Sequence, residues 1–137
     1  MSYRDRIILI LGDLAAFVAF GAIGMASHED GVNLKAIARA VLLFPEVWFL
    51  IAPWCGAFSE RAVAGQGWGD KPRGMMRVAL VWLPAGVIAL IARAAIFDRA
   101  LFNAFFVVAL VGYGLFVVGW RTIYGRWLAP SPRGAAA

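Results

Sequence analysis

Residues 7–26 read IILILGDLAAFVAFGAIGMA, twenty positions with a single charge among them. A helix of that length rises about 30 Å, the thickness of a bilayer's hydrocarbon core, so the stretch predicts a membrane-crossing helix. Three more stretches of the same kind follow, at about 38–58, 76–97 and 101–120. The spans and their connections consume nearly the whole chain. The expected fold is therefore all-α, an integral membrane four-helix bundle formed by one domain over residues 1–127. The remaining ten residues, 128–137, are small and proline-rich and are expected to form a loosely ordered tail.

Composition agrees with that reading: of 137 residues, 63% are hydrophobic and only 15% charged. The net charge of +5 could point to nucleic acid, but the cations flank apolar spans and form no stripe on a soluble face. They set topology instead. Arg4, Arg6, Arg61, Lys71, Arg73, Arg77, Arg121, Arg126 and Arg133 fall at one boundary, and Lys35, Arg39, Arg93 and Arg99 at the other. With an even number of spans, the positive-inside bias places both termini and the 59–75 connection in the cytoplasm of a multi-pass protein of the bacterial inner or plasma membrane. Tyr3, Trp68, Trp120, Tyr124 and Trp127 gather near the same boundary, where amphipathic rings are expected at headgroup depth. Arg4 and Arg6 before an apolar run also fit a signal peptide, but the run is longer than a signal core and contains Asp13, so a retained helix is expected.

The residues that hydrocarbon rejects carry the most information. An Asp at the centre of a membrane helix costs roughly 3 kcal/mol, against about 0.5 returned by each large aliphatic residue. Asp13 is thus carried in by its neighbours, and it must face protein or water. Arg77 and Arg121 are cations at similar depth on helices three and four, and one of them is expected to pair with it. Glu46 lies roughly 10 Å below the outer edge and Arg93 about 6 Å below it, by the helical rise. A Glu46–Arg93 bridge is one reading of that depth. A snorkelling Arg93 with a protonated or hydrogen-bonded Glu46 is the other.

Pro45, Pro53 and Pro84 fall inside spans and would free the carbonyls of Val41, Phe49 and Leu80, so kinks are expected there. Gly12, Ala15, Ala19, Ala22 and Ala26 make a seam of small side chains on helix one, and Gly112 and Gly119 repeat at seven residues on helix four; both suit close helix contact. The single cysteine, Cys55, excludes an intrachain disulfide.

Parts for catalysis are missing. Ser27 and Ser59 have no nearby base, and Asp13 and Glu46 lie at different depths, so neither a serine nucleophile nor a carboxylate pair is supported. Gly65, Gly67 and Gly69 follow no strand and precede no Lys-Ser/Thr pair, so they read as a turn and not as a phosphate cradle. His28, in the outer connection 27–35 (SHEDGVNLK), reads as a solvated loop residue or helix cap; a pigment or haem ligand is the alternative. No cofactor or metal is expected.

The run GDLAAFVAFGAIGMASH, the segment FPEVWFLIAPWCGAF, Arg93 closing helix three and Gly119-Trp120-Arg121 closing helix four resemble the bacterial and archaeal membrane family known only as domain of unknown function 3054. That resemblance implies four helices and no particular activity. The acidic pair after His28 and the Pro-Glu step in helix two depart from the family pattern. The function expected from the residues is that of a non-enzymatic accessory or structural subunit of a larger membrane assembly, with the lipid bilayer, such a complex or a homo-oligomer as partners and no nucleic acid. A small oligomeric transporter or channel using Asp13 or Glu46 is the alternative, and pigment or haem binding through His28 comes third.

Overall fold

A computed structural model describes residues 3–26, 35, 42–59, 73–97, 100–102 and 104–125. Among them are four helices and no strand: α1 (Tyr3–Ala26), α2 (Leu43–Ile51), α3 (Arg73–Phe97) and α4 (Ala104–Ile123). Three of the four, α1, α3 and α4, are long and apolar enough to cross a membrane. The helices form a ring in which α1 packs along α4, α4 along α3 and α3 along α2, while α2 touches α1 only lightly.

The second span departs from expectation. The predicted helix over 38–58 is an α-helix only over Leu43–Ile51 among the described residues. Pro53 has no N–H to give to Phe49, which interrupts the ladder. Beyond it the backbone still turns, with Cys55 N–H donating to Ile51 O at 3.2 Å, before a glycine ends the rod. Gly56 has φ of 72°, Ala57 N–H donates back to Ala52 O at 2.9 Å and Gly56 N–H to Pro53 O at 3.2 Å. Those are the two bonds of a Schellman cap with a left-handed glycine.

The other prolines act differently. Pro45 stands in the first turn of α2, where N–H groups have no intrahelical acceptor, and α3 runs unbroken through Pro84. Val41, whose carbonyl Pro45 was expected to free, lies outside the described residues.

Burial follows helical spacing. On α1 the inward face is Leu9, Asp13, Ala16, Phe17 and Gly21, whereas Ala15, Ala19, Ala22 and Ala26 are exposed. Of the small-residue seam only Gly12 packs within the bundle, against Trp120. Of the two helix-four glycines, Gly112 lies directly under the Phe20 ring, whereas a side chain at Gly119 would meet open space.

The core is aromatic. Tyr113 stacks on Phe44 with ring centroids 4.4 Å apart, meets Phe20 edge-on at 4.5 Å and lies 5.5 Å from Phe17. Trp82 stands beside it in a slot made by two glycines. A Cβ at Gly114 would come within 2.7 Å of the indole, and one at Gly86 within 2.6 Å of Leu110. That approach lets Trp82 Nε1 donate to the Leu110 carbonyl at 2.7 Å, which satisfies a donor otherwise stranded among rings.

Polarity is inverted relative to a water-soluble bundle. Asp13 is wholly buried and Arg121 is 1% exposed, while Leu50, Leu80 and Leu115 are each more than 60% exposed.

Candidate functional site

Asp13 sits on the inner face of α1 between Leu9 and Phe17, and Arg121 on the last turn of α4. α1 and α4 pack along each other, which brings these two residues together across 108 positions of sequence. The guanidinium meets the carboxylate edge to edge: Nε donates to Oδ1 at 2.8 Å and Nη2 to Oδ2 at 2.5 Å. This bidentate geometry is the strongest form of the pair.

Two indoles complete the carboxylate's shell. Trp48 of α2 donates from Nε1 to Oδ2 at 2.8 Å, and Trp120 of α4 donates from Nε1 to Oδ1 at 3.2 Å. A carboxylate accepts at about four lone-pair positions, two on each oxygen. All four are met by donors.

The cation is held at each of its three nitrogens. Arg121 Nη1 donates to the Ala57 carbonyl, which the turn at Gly56 delivers to it. The guanidinium carbon lies 4.6 Å from the Phe58 ring centroid and 5.5 Å from that of Trp48. Aromatic faces stabilise a desolvated cation where water is excluded.

Gly12 explains how Trp120 reaches its acceptor. A side chain at position 12 would overlap the Trp120 indole, so the neighbour of Asp13 is the residue that leaves space for one of its donors. Near this end of the bundle Tyr124, also buried, donates its hydroxyl to Asp5 Oδ1 at 3.0 Å. Burial, and then the bond to Asp5, push its phenol above the ordinary value. Trp120 and Tyr124 thus turn inward; of the rings expected at headgroup depth, Tyr3 is exposed, and Trp68 and Trp127 lie outside the described residues.

The structure separates the remaining candidates. Of the two cations offered to Asp13, Arg121 forms the pair, while Arg77 is exposed beside Cys55 on an open apolar groove between the end of α2 and α3. Glu46 is exposed on the first turn of α2 and makes no ion pair with Arg93. Arg93 instead places its guanidinium 4.1 Å from the centre of the Phe105 ring. Similar depth was a weak criterion because it fixes height along the bundle and not angle around it. His28 lies outside the described residues, as do most of the 27–35 and 59–75 connections and the whole 128–137 tail.

Trp48, Ala57 and Phe58 were not identified from sequence as parts of the Asp13 site. One signal for Trp48 existed: an indole in an apolar span needs an acceptor, and Asp13 needs more donors than one arginine supplies.

Helices long and apolar enough to cross a membrane, closed around a buried, hydrogen-bonded Asp–Arg pair, define a class of small helical bundle. The chain belongs to the DUF3054 family of proteins of unknown function, whose model matches residues 10–124. No curated protein and no solved structure matches it. The matched region contains every residue of the Asp13 network.

Proposed function

We propose that this protein is a non-enzymatic bundle of a bacterial cell membrane, an accessory or structural subunit of a larger membrane assembly in which the Asp13–Arg121 network is a structural latch. Placement in the bilayer is supported by the outward apolar faces of α1, α3 and α4 and the inward position of the charges. Both termini stand on the cytoplasmic side, by the excess of Lys and Arg at that boundary.

One observation carries the reading. The carboxylate in α1 has every acceptor position filled by a protein donor and no exposure, so it is closed to water and to an entering cation. A carrier needs a charged group that alternates between partners and water. This one is tied by side chains from α2 and α4 at once.

The test is purification from native membrane in mild detergent, with the mass of the particle and the stoichiometry of its components determined. A defined larger complex containing this chain in fixed ratio is the expected result. Isolated homo-oligomers, together with proton or cation flux in proteoliposomes that Asp13→Asn or Glu46→Gln abolishes, would replace this reading with transport. Visible absorbance in the purified particle that His28→Ala removes would replace it with pigment or haem binding.

A further inference from the structure

The slight contact between α1 and α2 leaves a groove of about 610 Å³ on the side of the bundle. Its walls are Ile10 of α1 and Phe49, Pro53 and Phe58 of α2 and the turn after it; its polar groups are Arg6 and Ser59. The volume is in the range of ligand sites, and the lining is apolar except at these two residues.

Their arrangement is directional. Arg6 and Ile10 are one helical turn apart on α1, so they share a face and the cation stands about 6 Å nearer the end of the helix. That end is the boundary where most of the cations collect. Arg6 is exposed and has no hydrogen bond or ion pair among the described residues. Ser59 supplies a second and independent sign. Its Oγ is the only buried side-chain polar atom among the described residues that lacks a hydrogen-bond partner. A buried hydroxyl is not left unpaired without cost, and rotation of the Ser59 side chain towards an acceptor in the groove would relieve it.

We propose that this groove binds one anionic phospholipid, with the phosphate received by Arg6 and Ser59 and an acyl chain lying along Ile10, Phe49 and Pro53. Positive charge at the head end and apolar walls below it complement such a lipid, as basic pockets between membrane helices do. Phe58 lines the groove and also lies against the Arg121 guanidinium, so the lipid would sit beside the latch with that ring between them. The groove between α2 and α3 is a natural comparison: it also carries an arginine, Arg77, over an apolar lining, but it has no hydroxyl and measures about 380 Å³.

This proposal rests on the bilayer placement given above and not on the identity of any larger assembly. The test is native mass spectrometry of the full chain released from nanodiscs of phosphatidylglycerol or phosphatidylcholine with matched acyl chains. The expected result is one phosphatidylglycerol retained per chain, at least fivefold over phosphatidylcholine. Arg6→Gln should lower retention roughly fivefold, the factor that one cation contributes near an anionic surface. Ile10→Trp, at a half-exposed position, should expel the lipid by filling the groove while leaving the charge in place. Arg77→Gln should leave retention unchanged.

Equal retention of the two lipids, an equal loss from Arg77→Gln, or displacement of phosphatidylglycerol by millimolar inorganic phosphate would each overturn the proposal. If the chain is absent from alkali-washed membranes, the bilayer placement itself fails. If it is present but does not discriminate between the lipids, only the groove assignment fails.

Discussion

Replacing Asp13 by Asn keeps the shape of the side chain and removes its charge, which isolates what the ion pair contributes. In the variant one acceptor oxygen becomes an NH2 group that faces two donors, Arg121 and one of the tryptophans. Arg121 remains buried, now without a counter-ion. Breaking a buried pair by removal of one partner costs about 3–5 kcal/mol, because the desolvated charge left behind has no compensation. Arg121→Gln produces the complementary defect and should cost about the same, also about 3–5 kcal/mol.

The double variant is the informative one. With both charges gone the amides can still hydrogen-bond to each other and to the indoles, so the loss should fall short of the sum of the singles by at least about 2 kcal/mol, within the coupling seen for residues in one network. Trp48 and Trp120, two of the chain's six tryptophans, donate directly to Asp13, so in a background with the other four replaced by Phe, emission during denaturation in mixed detergent micelles reports the site. Arg77→Gln is the control, an exposed cation whose removal should change stability by no more than about 0.5 kcal/mol. Additive single losses, or an Asp13→Asn variant within about 1 kcal/mol of the parent, would refute the claim that the pair is a latch.

Gly12→Ala should displace the Trp120 indole, costing about 1–3 kcal/mol by overpacking, and should shift tryptophan emission even in the folded state. Gly56→Ala forces a side chain into a backbone with φ of 72° and should cost about 1–2 kcal/mol; hydrogen exchange should show that the loss is centred on the turn that presents Ala57 to Arg121. Tyr124 should ionise above its ordinary value of 10.0 in an absorbance titration, with burial the larger cause. Since the folded state holds that proton more tightly, the associated stability is complete below the unfolded tyrosine's pKa and is lost as pH rises through the folded one. Tyr124→Phe should abolish this alkaline sensitivity and cost about 1 kcal/mol for the lost bond to Asp5.

Helix existence was legible because it depends on local chain properties. A run such as 7–26 must bury its backbone polar groups in its own hydrogen bonds wherever it is placed, and α1, α3 and α4 appear close to where their apolar runs lie. In the 38–58 run the kink expected at Pro53 is followed by a left-handed Gly56, which hydropathy does not register, so among the described residues the α-helix ends at Ile51. The Ala15–Ala19–Ala22–Ala26 positions suit close helix contact, but they face outward from the bundle. Small residues permit close approach, but bulkier Phe17 and Phe20, one position away around the helix, won the inner face by filling the aromatic core.

The sequence by itself determined that Asp13 needs a partner, since the cost of a carboxylate in an apolar span is a property of that residue and its neighbours in the chain. It also narrowed the partner to two arginines. Only the tertiary structure decided between Arg77 and Arg121, because the choice depends on the rotation of each helix about its own axis and on which helices adjoin in the ring. The same holds for Trp48, Trp120 and the Ala57 carbonyl, whose convergence is a geometric fact about three segments far apart in sequence. Hydrogen bonds are short and directional, so no pattern along one strand of letters can specify them until packing has fixed the angles.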